Sequence, residues 1–130
     1  MKLASHIAGA LLGLLFIIFA ANFFFPFIPM PADPSPADAP HKLFMGALVP
    51  TGYFAFIKVL ELTGGLLVAI PKTRNFGLLI LGPILVNILA FHIFLLKGAA
   101  LFHPPIVPVM AALAVFLLWS ARAKFAALAN

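Results

Sequence analysis

The chain contains no cysteine. That excludes disulfides, a thiol nucleophile, and cysteine-ligated zinc or iron–sulfur clusters within it. Charge is nearly as scarce: 8% of residues are Asp, Glu, Lys or Arg, and only three are acidic. A soluble domain carries about a quarter charged residues. Too little polar surface is left here to cover a water-facing globule. No two histidines stand three to five residues apart, so a metal site would rest on a lone carboxylate–histidine pair, and none is expected. No haem or nucleotide-binding motif is present. No basic run is long enough for a nucleic-acid footprint, so no nucleic-acid partner is expected.

What is present is apolar. Hydrophobic residues make up 65% of the 130, and the mean hydropathy is +1.20. The whole chain therefore reads as an all-α, polytopic membrane protein with lipid as its surroundings. At about 20 residues per span, the length suits one transmembrane domain, a four-helix bundle with short connections. The first span is expected over about 5–25. A signal peptide is the competing reading of this segment. The stretch Phe19-Ala20-Ala21-Asn22-Phe23 is a poor cleavage pattern, and bulky apolar residues continue to Met30, so a retained helix is expected. Ser5, Gly9 and Gly13 form a small-residue stripe that allows close helix approach.

A long proline-rich outer loop, 26–52, follows. Pro26, Pro29, Pro31, Pro34, Pro36 and Pro40 forbid a continuous helix through its first half. Asp38-Ala39-Pro40 reads as a helix start with Asp38 at the N-cap. A short interfacial helix over 39–48, apolar on the side of Leu43, Phe44, Ala47 and Leu48, would lie back on the bundle as a lid. Thr51 is placed to cap the second span, 53–70. Pro71 to Asn75 is a tight basic turn, with Arg74 in it. The third span, 76–96, carries Pro83, which removes a backbone donor and bends the helix. The fourth is expected over 105–121.

Counting Lys and Arg gives orientation. Lys2, Lys72, Arg74, Arg122 and Lys124 fall on one side, and Lys42 and Lys97 on the other. Both termini are expected to be cytoplasmic and the long loop to face outward.

The polar residues inside these spans carry the functional expectation. At 1.5 Å of rise per residue, Asn22 lies roughly 5 Å from the outer edge, Lys58 about 9 Å, Glu61 about 13 Å, His92 about 6 Å and Asn87 about 13 Å. All five fall in the outer half, beneath the loop, where either a polar pocket or a fully paired network is expected. They are the candidate ligand-binding set, and Glu61 and His92 are the candidate catalytic pair. Each also has a plainer reading. Lys58 and Glu61, three apart, can be an intrahelical ion pair, and Lys58 can snorkel. Glu61 is deeper, and intramembrane carboxylates serve sites or proton paths. Asn87 suits interhelical hydrogen bonding. His92 stands open between a satisfied histidine and a proton carrier. Asn22, His41 and His103 sit near the interface, where solvation suffices. Asn87 and His92 are five residues apart and point about 140° apart, so both cannot face one neighbour.

Several stretches resemble the DoxX-like family of small bacterial integral membrane proteins: Phe23 to Pro31, Leu48 to Tyr53, Glu61 with Gly64-Gly65, and above all Pro83-Ile-Leu-Val-Asn87-Ile-Leu-Ala-Phe91-His92. The resemblance covers Phe16 to about Leu101. It implies four transmembrane helices in a bacterial inner membrane and an association with membrane redox complexes. The expected function is a redox-associated subunit that binds a quinone or similar small molecule. Its electrons would come from a membrane or periplasmic redox partner or from the quinone itself, since no cofactor motif is present. The alternatives are a non-catalytic accessory or assembly subunit, alone or as a homo-oligomer, and a small oligomeric transporter.

Overall fold

The structure, a computed structural model, describes residues 2–102 and 104–129. The chain is all-helical, with no strand among the described residues. The helices are α1 (Lys2–Phe24), α2 (Pro40–Leu48), α3 (Tyr53–Ala69), α4 (Arg74–Ala90), α5 (Ile106–Ser120) and α6 (Arg122–Ala126). A π-helical turn, Phe91–Leu95, continues α4. Among the described residues, two helices are long and apolar enough to cross a membrane, Lys2–Phe24 and Arg74–Leu95. A third span follows if α2 and α3, bent by 82°, are taken as one. These lengths and compositions suggest a membrane protein. The helix α5 is apolar but has only 15 residues, about 22 Å of rise.

Four helices enclose the core. α1 packs on α3 and α5, and α4 closes the ring against α3 and α5. Leu12, Phe16, Val68, Leu81 and Leu117 are fully buried at its centre. Leu14, Phe56, Val59, Leu66, Leu79, Val86 and Val115 point outward, exposed. An apolar exterior around an apolar core is what lipid surroundings permit and water does not.

Glycines set the tightest contacts. A Cβ on Gly13 would fall 2.8 Å from the Cβ of Ala69 and strike the backbone of Gly65. A Cβ on Gly77 would fall 2.8 Å from the carbonyl oxygen of Gly64. These contacts, with Phe23 beside Phe54, make α1 antiparallel to α3 and α3 antiparallel to α4. The segment 25–52 and the end of α4 thus share one end of the molecule, the loop end. The start of α1, the turn 70–73 and the C-terminal segment share the other.

Helix starts depart from the sequence expectation. The N-cap of α2 is Ala39, with Pro40 in the first turn and no side-chain cap, so Asp38 does not take that role. Thr51 serves both helices: its hydroxyl donates to the carbonyls of Ala47 and Leu48, closing α2, and accepts the backbone N–H of Tyr53 at 3.5 Å at the start of α3. The start of α3 falls to Gly52, whose φ of 83° lies in the left-handed region that glycine adopts without strain. That residue makes the sharp bend between α2 and α3 possible. Arg74 belongs to no turn. It opens α4 and is buried.

Candidate functional site

Glu61 lies at the middle of α3 and is 3% exposed. Lys58, one turn toward the loop end, reaches its carboxylate at 3.2 Å and 3.4 Å. The spacing of three residues puts both on one helix face, so the pair forms without help from a second helix. The Lys58 ammonium also sits 4.9 Å from the centre of the Phe54 ring, and Phe54 meets Phe23 edge to face. Salt bridge, ring and helix together hold the ammonium in place.

Lys58 lines a groove of about 500 Å³. Phe19, Asn22 and Phe23 of α1 form one wall, Phe54 and Lys58 of α3 another, and Pro26, Ile28, Pro29 and Met30 of the proline-rich segment cover it. Asn22 explains the cover. Its side-chain oxygen accepts the backbone N–H groups of Phe27 at 2.9 Å and Ile28 at 2.7 Å. Its amide donates to the carbonyl of Ile28 at 3.5 Å. Prolines at 26 and 29 leave this stretch without a helical ladder, and one buried amide replaces it. Asn22, 8% exposed, thus shapes the groove while its own polar atoms are engaged.

The other candidates lie apart from this pair. Asn87 is exposed, and its amide donates to the carbonyl of Pro83 in its own helix at 2.9 Å. It therefore does not bond across to a neighbouring helix. His92 is half-buried in the π-helical turn, and its Nδ1 donates to the carbonyl of Ile88 at 2.9 Å. Its ring lies against Phe91, which in turn meets Phe44 of α2. Among the described residues, no hydrogen bond links His92 to Glu61 or Lys58. The intrahelical Lys58–Glu61 ion pair expected from their spacing is formed, while His92 bonds within its own helix. His103 lies outside the described residues.

The outer segment is tied down separately. His41 Nε2 meets Asp33 Oδ2 at 2.6 Å, and the Lys42 ammonium donates to the carbonyls of Asp33 and Ser35. The Ser35 side chain and backbone N–H, then the His41 ring, hold the Asp33 carboxyl below the usual carboxylate range. His41 is therefore paired with a carboxylate, beyond the solvation expected for it.

One buried polar cluster has no counterpart among the sequence candidates. Arg74 is 8% exposed. Its Nε donates to the carbonyl of Val68 at 3.1 Å, and its Nη1 to Nδ1 of His6 at 3.3 Å. The guanidinium lies on Gly9, where a Cβ would fall 2.8 Å from Cζ. The sequence signal was the scarcity of acid beside a glycine stripe. It gave no hint that Gly9 admits a side chain while Gly13 admits a helix.

Among the described residues, no group of three or more His, Asp or Glu side chains could hold a metal ion. No protein-family model, curated protein or solved structure matches the chain.

Proposed function

We propose that the chain is a DoxX-like multi-pass protein of a bacterial inner membrane that binds a quinone or similar small amphipathic molecule in the loop-end groove. In this reading α1, α3, α4 with its π-helical turn, and α5 are four spans, and both termini are cytoplasmic. The observation that carries the binding proposal is Lys58. An ammonium has three donors, and one carboxylate engages two of them at most. At least one donor is left for a carbonyl or anionic oxygen in a groove otherwise walled by apolar and aromatic side chains. Apolar walls with few placed polar groups are the usual make-up of a small-molecule site. Glu61 holds the ammonium in position and stands next to any proton that moves.

The test is extraction of the full-length protein in mild detergent, with mass spectrometry of bound quinone and titration with a short-chain quinone. Bound quinone is expected, with affinity about 10- to 100-fold weaker in Lys58→Met, the scale of one charge-assisted hydrogen bond. A wild-type protein that neither carries nor binds quinone ends this reading.

A second reading, the accessory subunit, draws on a separate observation. Asn87 and His92 bond to backbone of their own helix, and Asn22 to backbone of the proline-rich segment that follows it. Of the five candidate ligand-binding residues, the Lys58–Glu61 pair is then left to offer chemistry, and binding without catalysis follows.

A further inference from the structure

We propose that Arg74, uncovered by a swing of His6, is a binding site for a phosphate oxyanion at the end of the molecule opposite the groove. Arg74 Nη2 is closed off and makes no hydrogen bond among the described residues, although the residue is more than nine-tenths buried. A buried cation without a counter-charge is costly unless something supplies one. The chain's own acidic side chains cannot. There are three: Asp33 pairs with His41, Glu61 with Lys58, and Asp38 precedes α2 at the loop end. The counter-charge must come from outside them.

The geometry favours a tetrahedral oxyanion over a single carbonyl. Nε is already engaged by the Val68 carbonyl. The guanidinium packs directly on Gly9, where a Cβ would fall 2.8 Å from both Cζ and Nη2. The remaining edge, Nη1 with Nη2, presents parallel donors that match two oxygens of one phosphate. His6 occupies Nη1 now, and it is an exposed residue. Turning it away opens the edge, and the imidazole can then donate to the same anion. Lys2, Lys72, Arg122 and Lys124 gather at this end by topology, because α1 and α4 begin there and α3 and α5 finish there. Such an end attracts phosphate, whether from an anionic lipid headgroup in the facing leaflet or from solution.

The experiment uses the full-length protein in detergent. Its thermal unfolding is followed while phosphatidylglycerol, diacylglycerol or inorganic phosphate is added. Phosphatidylglycerol is expected to raise the unfolding temperature and to be retained through purification. Arg74→Lys, which keeps the charge but loses the paired donors, should bind about tenfold more weakly. Gly9→Ala, which pushes the guanidinium off its seat, should do the same. Lys72→Gln should stay within about twofold, since it alters only the diffuse field. Stabilisation by inorganic phosphate alone would uphold the oxyanion site and place its source in solution. The proposal is overturned if Arg74→Lys and Gly9→Ala, both folded, respond as wild type does. It is equally overturned if diacylglycerol, which has no phosphate, stabilises as well as phosphatidylglycerol, or if no addition stabilises the wild type. None of these outcomes depends on the quinone groove.

Discussion

The two ends of this molecule handle buried charge in opposite ways. Toward the loop end, Lys58 and Glu61 neutralise one another from a single helix turn. At the far end, Arg74 is buried with a neutral carbonyl and an imidazole, and no acidic side chain among the described residues joins it. The first arrangement is complete within the chain. The second is complete only with an outside anion. The difference teaches where this protein is finished as a structure and where it is built to meet something else.

The largest expected effect breaks the self-sufficient side. Lys58→Met leaves Glu61 buried without its partner, and a loss of about 3–5 kcal/mol is expected, the scale for breaking a buried ion pair. The double variant Lys58→Met with Glu61→Leu should recover most of that loss, because apolar residues of similar volume replace such pairs at little cost. Unfolding in detergent, run as a double-mutant cycle, measures the coupling directly. A single-variant cost below about 1 kcal/mol would make the pair equivalent to a surface one and remove the contrast between the ends.

That contrast also separates what the sequence reveals from what it conceals. Lys58 and Glu61 are three residues apart, so a helix alone decides their meeting. The helical class is legible for the same reason: long apolar runs in a charge-poor chain leave few other solutions. Arg74 and His6 are 68 residues apart, and only the packing of α1 on α3 brings them together. Asn22 was visible as polar, but its task depends on the backbone path after Pro26, which no periodicity encodes. His92 was judged by its depth and its angle to Asn87, whereas its ring bonds the Ile88 carbonyl of its own helix, where α4 gives way to a π-helical turn. Local spacing was readable, and facing and long-range approach were not.

A middle-sized effect sharpens the comparison along α1. Gly13→Ala sets a Cβ against the backbone of Gly65 and the side chain of Ala69, neither of which can step aside. A loss of about 1–3 kcal/mol is expected, as for overpacking elsewhere. At Gly9 the three atoms nearest an added Cβ all belong to the flexible Arg74 side chain and none to backbone, so the cost of Gly9→Ala in lipid-free detergent should be clearly smaller. Equal costs would mean that the guanidinium is as fixed as backbone, and that the far end is as finished as the centre.

The smallest effect concerns the tether of the loop. Asp33 is held below the ordinary carboxylate range, so the folded loop favours its charged form. A group of this kind stabilises fully above its unfolded pKa and loses that contribution as the pH falls toward its folded value. The tether should therefore be intact at neutral pH and loosen only below about pH 4, the ordinary range for Asp. Hydrogen exchange at the Ser35 amide, which donates to Asp33 at 2.9 Å, reports the change. Protection there should fall with acid after correction for intrinsic rates, and Asp33→Asn should remove the pH dependence. Asp38→Asn is the control, since that side chain makes no hydrogen bond among the described residues. The exchange of α3 amides around Glu61 should stay constant over the same range if the tether and the buried pair are independent. A parallel rise in exchange at both places would mean that the loop, and not the pair alone, keeps the groove closed around Lys58.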